Sequence, residues 1–514
     1  MNDWNFQNLN DQELESLMQA GASSLPPDDN LVEEITPWRR AMKRALLGIA
    51  LNLVTLNFWG LNYLFPAIGT LLLLIGFRAL RRENRGFALC WYLALVQATI
   101  RYVCLILNAS VWQEELYRLP WMQPLPYVLT LVSFVQVLGL RTGFRAARRK
   151  AGLDPAAPGT TALVVWYLIM CIAALVNYTG ILGWILIIAY FIILRTLWKL
   201  PRQLEEAGYA IELAPVRISD FGLGAWISAV VVVGIACCCL FASGYDMDWT
   251  PVPEGEQAGL EELREELLEL GFPEAVLNDL TPEDLTACKG ALRIVVEQDD
   301  YAVNEGRSVI REENGHRVHT REYDVNELRI TGVAVELPGD RERWRIIHHF
   351  EWVIDPGFHG TESMQFWPTY HLAEGWSKGS EATGRVLYDR DGVTYTAPYH
   401  YLGEQNYQST SMFWGTQQNH DLFAAFSFPY KGQRQRGYVA YDTLENEEGY
   451  IIDSWINYTH QNRWFQYPAQ TAMENRMRGS WNLSGAFSLV QTAIQFNPND
   501  PADFSDYGYT TVTE

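Results

Sequence analysis

The residues best suited to chemistry lie in the C-terminal half of this 514-residue sequence, and few of them form a recognisable motif. Residues 375–379 fit the pattern Gly-x-Ser-x-Gly, in which Ser377 would be a nucleophile on a turn between a strand and a helix. Because Thr383–Tyr388 is predicted to be a strand, we interpret this match as chance. The patterns of zinc peptidases, paired-cysteine sites and phosphate-binding loops are absent from the sequence. We therefore assign no catalytic residue.

Candidate metal ligands are equally sparse. Residues 389–392 and 497–506 contain clustered oxygen ligands suited to calcium, but ordinary turn chemistry explains both segments. A strand places adjacent side chains on opposite faces, so neighbouring histidines are poorly arranged to share one zinc ion. We predict packing or surface roles, and no metal or cofactor, for the histidines His348, His349, His359 and His371.

Aromatic side chains are the most abundant candidates for ligand binding. Aromatic faces bind sugars or peptide chains by stacking, and acidic neighbours such as Glu362, Glu374 and Asp453 can bond hydroxyl groups. The alternative is that these rings fill and surround a large core. The predicted ligand-binding residues are Trp367, Trp376, Tyr399, Tyr401, Trp414, Trp455 and Trp464.

Charge divides the sequence into two different halves. Residues 1–243 carry 19 basic and 16 acidic side chains, whereas residues 244–514 carry 20 and 44, together with all nine histidines. The acidic half would repel phosphate, which excludes a nucleic-acid-binding protein. The content of 19 Trp, 26 Tyr and 22 Phe excludes disorder for most of the chain.

The first half contains apolar stretches that are too long for a soluble domain. A membrane span needs about 20 apolar residues, and two stretches of about 35 residues are each interrupted by turn-forming residues. We interpret residues 38–243 as a seven-helix transmembrane bundle that has the lipid bilayer as its partner. The predicted spans are 45–61, 64–80, 87–107, 125–140, 161–177, 180–195 and 223–242.

Loop charge predicts the orientation of these spans. Basic clusters flank the first hairpin and follow the fourth and sixth spans, whereas the loop between the third and fourth spans has only Arg118 against Glu114 and Glu115. Short basic loops stay in the cytoplasm. We therefore expect a multi-pass protein of the cell membrane with a cytoplasmic N-terminus and an extracytoplasmic C-terminal domain.

Arg101 is the charged residue inside a predicted span. Gln97 lies one helical turn before it, and Gln136 is available on the next span. A charge within the membrane is a candidate functional residue. The alternative is that Arg101, about two turns from Asn108, extends to the outer headgroups.

Three further regions complete the predicted organisation. Residues 1–37 form an acidic cytoplasmic tail, and residues 244–291 form a small helical linker with Leu260, Leu263, Leu267 and Leu270 on one face. In residues 292–514 the apolar side chains recur at every second position. This pattern predicts a large antiparallel all-β domain, sandwich- or barrel-like. Cys288 is the only cysteine after the last span, so an internal disulfide is excluded there.

Turn signals predict several hairpins within the β domain. Residues 328–337 and the alternating strand 344–354 should pair through Pro338-Gly-Asp340. We expect similar hairpins around the turns at 389–392, 431–436 and 444–449.

These features favour a non-enzymatic membrane protein whose outer β domain binds a cell-envelope glycan, peptide or protein. The layout resembles that of transmembrane regulators such as anti-sigma factors, which implies a possible signal to the cytoplasmic tail. Two alternatives stay open: a membrane-tethered hydrolase of the envelope, and a transporter or flippase. The low number of charges within the spans counts against an ion-coupled carrier.

Overall fold

The computed structural model divides the chain into two compact units. The first comprises Met1–Ile106 and Glu115–Val233, and the second comprises Leu107–Glu114 and Gly234–Glu514. The predicted N-terminal tail lies outside the described residues. The structure describes residues 37–53, 60–176, 182–303, 307–313, 316–322, 325–369, 375–411, 415–478 and 485–499.

The N-terminal half is helical. Five helical segments are long and apolar enough to cross a membrane: Leu61–Leu80, Arg85–Leu107, Leu125–Lys150, Gly183–Glu206 and Asp220–Phe241. The helices of this half are α1 Pro37–Leu53, α2 Leu61–Leu80, α3 Arg85–Leu107, α4 Trp112–Arg118, α5 Leu125–Lys150, α6 Pro158–Leu175, α7 Leu182–Leu197, α8 Lys199–Glu206 and α9 Asp220–Phe241.

The predicted spans agree with these helices in position but not always in length. The predicted span 45–61 overlaps α1 only over residues 45–53 and ends at the first residue of α2, whereas the predicted span 161–177 falls on α6 and ends outside the described part. Helix α5 continues ten residues beyond the predicted end at residue 140. The extension is rich in Arg, Lys and Ala, which are strong helix formers, so the apolar stretch ends before the helix does.

A few acidic side chains join the basic ends of these helices. Asp220, at the start of α9, accepts hydrogen bonds from Arg44 of α1 and Arg78 of α2. Glu83, which is buried between α2 and α3, accepts from Lys150 of α5 at 3.0 Å. Burial alone would raise the pKa of Glu83, but hydrogen bonds from the Glu212 amide, Lys150 and Tyr209 lower it below its ordinary value.

Glycine permits the close approach of α1 and α2. A Cβ atom at Gly76 would lie 2.7 Å from both the carbonyl oxygen of Ala41 and the amide nitrogen of Ala45. Small residues allow helix backbones to approach in this way, which increases van der Waals packing where water supplies no driving force. The backbone of α1 therefore occupies the space that a side chain at Gly76 would need.

We predict that Gly76→Ala destabilises the first unit by about 1–3 kcal/mol, because the added methyl group meets backbone atoms. Gly183→Ala is the matched control, since an added Cβ there meets nothing within 4 Å. Its effect should not exceed about 1 kcal/mol. Thermal unfolding of both full-length variants in one detergent checks the prediction, and equal midpoints would contradict it.

The C-terminal half contains two large antiparallel sheets. The eight-stranded sheet has the order β1-β10-β9-β13-β6-β5-β2, with β8 paired to β13, and the five-stranded sheet has the order β11-β12-β7-β14-β15. The strands are β1 Thr250–Pro251, β2 Arg293–Tyr301, β3 Arg307–Glu313, β4 His316–Glu322, β5 Leu328–Leu337, β6 Arg343–Trp352, β7 Glu362–Trp367, β8 Trp376–Lys378, β9 Thr383–Arg390, β10 Val393–Ala397, β11 Tyr401–Ser411, β12 Gly415–Phe426, β13 Gln433–Glu445, β14 Ile452–Gln461 and β15 Phe487–Phe496.

The two sheets enclose one apolar core. Alternate side chains of β6, among them Trp344, Ile346 and Phe350, point into this core. Phe366 of β7 and Tyr458 of β14 enter it from the five-stranded sheet. The period of two therefore places one face of each sheet in the core, as in a β-sandwich.

Three short helices cover the other face of the eight-stranded sheet. They are α10 Glu261–Glu269, α11 Glu274–Asp279 and α12 Pro282–Thr286. Leu267 and Leu277 pack against Val333, Ile347 and Tyr438 of the sheet. The predicted linker is thus a third layer of the β domain, although Leu270 of its predicted apolar face remains 38% exposed.

Buried ion pairs join these helices to the sheet. Arg345 of β6 bonds Asp284 of α12 at 2.6 Å and Asp442 of β13 at 2.9 Å. Asp279 of α11 accepts from Arg436 at 2.9 Å and lies 2.9 Å from His349. Burial alone would raise the pKa of Asp279, but His349 and Arg436 lower it.

The predicted hairpins are right in two cases and wrong in two. β5 pairs with β6, and β9 pairs with β10, as the turn signals indicate. The segments around 431–436 and 444–449 instead carry the chain from one sheet to the other, because β13 belongs to the eight-stranded sheet and β12 and β14 to the five-stranded sheet. Gly, Lys and Asn favour a turn in either case, so local chemistry does not distinguish a hairpin from a crossover.

We predict that Arg345→Met lowers the free energy of local unfolding in β5, β6 and β13 by about 3–5 kcal/mol, because it leaves the buried Asp284 carboxylate without its cation and Asp442 with Arg343 alone. Arg390→Met, which removes an exposed pair with Asp391, should change it by less than about 0.5 kcal/mol. Hydrogen exchange of the full-length protein measures both effects. Similar exchange rates in the two variants would contradict the prediction.

Candidate functional site

Two of the predicted ligand-binding aromatics are buried within the β domain. Tyr399 donates a hydrogen bond to the carbonyl oxygen of Tyr438 at 2.8 Å, and burial raises the pKa of its hydroxyl well above the ordinary value. The indole of Trp376 donates to the carbonyl oxygen of Tyr450 at 3.1 Å. A cavity of about 10 Å³ beside Trp376 has room for a single water. Both side chains therefore contribute to packing.

Three other predicted aromatics are scattered. Tyr401 is half-buried and donates to the carbonyl oxygen of Glu404 at 2.9 Å. Trp464 is 55% exposed and contacts Phe465, which is 54% exposed, with ring centres 5.8 Å apart. Trp414 lies outside the described residues.

Trp367 and Trp455 form a pair on the outer face of the five-stranded sheet. They occupy directly opposite positions of β7 and β14, and their ring centres are 6.2 Å apart. Their neighbours Phe366 and Ile456 point into the core, so the strand period places both indoles on the outer face. Both indoles remain partly exposed.

A polar cluster lies on the same face, two strand positions along from the two indoles. Gln365 donates to Asp421 at 2.6 Å and to the Tyr407 hydroxyl at 2.9 Å, and its amide oxygen accepts from Asn457 at 3.1 Å. Arg476 of α13 Ala472–Arg478 donates through Nε to the same amide oxygen at 2.5 Å. A carboxylate, two amides, a phenol and a guanidinium therefore meet beside the paired rings.

Some hydrogen-bonding capacity remains unused on this face. Among the described residues, the buried oxygens Asn457 Oδ1, Ser363 Oγ and Thr459 Oγ1 have no hydrogen-bond partner. Burial and the Asp421 carboxylate raise the pKa of Tyr407, so this phenol stays protonated as a donor. Burial lowers the pKa of Arg476, which Tyr407 and Asp421 partly offset.

Sequence reasoning named the two indoles but missed the cluster. Gln365 lies two residues before Trp367, and Asn457 lies two residues after Trp455. In a strand, this spacing places each amide on the same face as its tryptophan. Asp421 and Arg476 join the site through sheet pairing and a separate helix, which the sequence pattern does not reveal.

The other candidate residues take structural positions. Ser377 lies within strand β8, and its hydroxyl donates to the side-chain oxygen of Asn446 at 3.2 Å, so the segment lacks the turn of a nucleophile. His348 faces the core beside Ser454, and burial lowers its pKa to about 3. His349 faces the helical layer, as adjacent strand positions predict. No group of three or more potential metal ligands occurs among the described residues.

In the helical unit, the three predicted polar residues lie around one cavity. Arg101 and Gln97 of α3 line it together with Gln136 of α5. Gln97 donates to Ser133 at 3.0 Å, and Gln136 donates to the carbonyl oxygen of Cys90 at 3.2 Å.

Comparison of the chain with protein-family models and with curated proteins finds no match. The assignment of a function therefore depends on the geometry of the sites themselves.

Proposed function

We propose that the chain is a multi-pass membrane protein that displays its β domain outside the cell membrane, where the domain binds a glycan of the cell envelope. The observation that carries this proposal is the Trp367–Trp455 pair beside the hydrogen-bonding cluster of Gln365 and Asp421. Envelope peptides and proteins are the alternative ligands.

The helices support seven membrane crossings in this proposal. Five helical segments have the length and composition of a span. We infer that α1 and α6 supply two further, shorter crossings, because apolar sequence follows α1 in residues 54–59 and α6 is itself an apolar helix of 18 residues. An odd number of crossings puts the two termini on opposite sides.

Contacts within each unit support the orientation. In the first unit, the basic ends of α1 and α2 meet at Asp220, which is consistent with one cytoplasmic end. In the second unit, the amide of Ala469 donates to the carbonyl oxygen of Asn108 at 2.7 Å. This contact supports an outer position for the connection after α3, whose low positive charge favours the same side.

We predict that a cysteine replacing Tyr430, which is 78% exposed, reacts with a membrane-impermeant maleimide in intact cells. The background must lack the seven native cysteines. A cysteine replacing the exposed Arg82, between α2 and α3, should react only after the cells are permeabilised. Labelling of both positions under the same condition would contradict the proposed orientation.

The chemistry of the site favours a polyhydroxylated ligand. Indole rings present flat apolar faces that suit the C–H face of a sugar, while carboxylate, amide and guanidinium groups bond its hydroxyls. The candidate site offers both kinds of group on one sheet face, where the indoles are partly exposed and Gln365 and Asp421 are buried beside α13. Ser377, by contrast, has an amide rather than an imidazole partner, so the geometry does not favour a hydrolase built on this serine.

We predict that the full-length protein in detergent co-sediments with insoluble cell-wall glycan and that Trp455→Ala weakens this binding about tenfold or more, through loss of stacking area. Asp421→Asn should weaken binding through loss of a charged acceptor. Trp464→Ala is the matched control, since Trp464 is exposed but belongs to neither strand of the pair.

Equal losses in Trp455→Ala and Trp464→Ala would refute this site, and absence of binding to any glycan fraction would refute the proposed ligand. Binding to an envelope protein that Trp455→Ala abolishes would keep the site and replace the ligand class. Circular dichroism of each variant separates loss of binding from loss of structure.

A further inference from the structure

The helical unit encloses a polar cavity within otherwise apolar helices. Its volume is about 80 Å³, and its polar lining consists of Arg101, Gln97, Gln136, Ser133, Asn52 and Tyr167. A void of about 10–15 Å³ accommodates one water. The cavity therefore has room for a group of phosphate or carboxylate size.

The cavity lies within the apolar length of the helices. Arg101 is six residues before the end of α3 at Leu107, which corresponds to about 9 Å along the axis. Gln136 is 11 residues after the start of α5 at Leu125, or about 16 Å along that helix. Arg101 and Gln136 thus lie within α3 and α5 rather than at the ends of these helices.

Arg101 brings a positive charge to this cavity without a counter-charge from the chain. Among the described residues its guanidinium has no hydrogen bond and no ion pair, and the described parts of α1–α3 and α5–α7 contain no Asp or Glu. Several other basic side chains of this unit have acidic partners: Arg44 and Arg78 pair with Asp220, and Lys150 pairs with Glu83. A charge in apolar surroundings is costly unless it is paired.

The neighbouring groups are neutral and can donate hydrogen bonds. The amides of Gln97 and Gln136 each use one N–H toward the protein and keep a second N–H. Asn52 donates to the carbonyl oxygen of Gly48 at 3.3 Å and likewise keeps one N–H. A planar guanidinium with several amide donors suits the oxygens of an oxyanion.

We propose that this cavity binds an oxyanion, a phosphate or carboxylate group, with Arg101 as its counter-ion. The same chemistry is offered by the headgroup of an anionic lipid and by a free anion in solution. This site is separate from the proposed glycan site, and its test does not depend on the β domain.

The test uses the full-length protein and two probes. The protein is reconstituted in nanodiscs of phosphatidylcholine, with or without phosphatidylglycerol, and inorganic phosphate is titrated in the absence of phosphatidylglycerol. Thermal midpoint and native mass spectrometry report binding, since a ligand that binds the folded state raises the midpoint. Three proteins are compared: the wild type, Arg101→Gln, and Arg82→Gln as a matched loss of one exposed positive charge.

We expect the wild type and Arg82→Gln to bind the anion and Arg101→Gln to bind it roughly tenfold or more weakly, as expected for loss of a charge-assisted hydrogen bond. Retention of phosphatidylglycerol that is lost in Arg101→Gln would identify a lipid headgroup. A midpoint shift with phosphate alone would identify a free anion. Either result supports the proposal.

Wild-type protein that binds neither probe would overturn the proposal and leave Arg101 as a residue that reaches the outer headgroups. Equal binding by Arg101→Gln and the wild type would also overturn it. If Arg101→Gln does not fold, Arg101→Lys keeps the charge but loses the planar fork, so its affinity should fall below that of the wild type. Unchanged affinity in that variant would count against the site.

Discussion

The ion pairs between the three-helix layer and the eight-stranded sheet determine which surfaces of the β domain remain available. Asp279 and Asp284 lie in or beside short helices that have little stability alone, and Arg436 and Arg345 of the sheet hold these two carboxylates. Because the pairs are buried, loss of one partner leaves the other charge buried and unpaired. The helices therefore stay on the sheet and cover Val333 and its neighbours. The proposed ligand site belongs to the five-stranded sheet, where α13 covers part of the outer face.

In the helical unit, most of the described ion pairs lie at the ends of helices rather than in a buried layer. There the acidic side chains Glu83 and Asp220 stand at the ends of helices, where they join basic residues of different helices. Arg101 lies between such ends and has no acidic partner among the described residues. Paired charges at the helix ends have a structural role, which differs from the ligand-binding role proposed for the single charge of Arg101.

Local patterns predicted those features of the fold that depend on neighbouring residues. The β5–β6 hairpin follows from alternation and a Pro-Gly-Asp turn, and the apolar helices follow from span length. The turn signals after β12 and β13 predict hairpins, but these connections are crossovers between the two sheets. Local signals fail there because sheet membership depends on pairing with distant strands. For the same reason the pattern did not separate Trp376, which is buried, from Trp455. The polar cluster could not be predicted from the sequence, because Arg476 of α13 and Gln365 are 111 residues apart in the chain.

Electrostatics favours different ligands for the two proposed sites. Residues 244–514 carry 20 basic and 44 acidic side chains, so this half repels anionic polymers at distances up to roughly 8 Å in physiological salt. A neutral glycan approaches without that penalty and gains from contact with flat indole faces. The cavity beside Arg101 favours an anionic ligand, because a neutral ligand would leave the guanidinium unpaired. The two proposed sites therefore need not share a ligand.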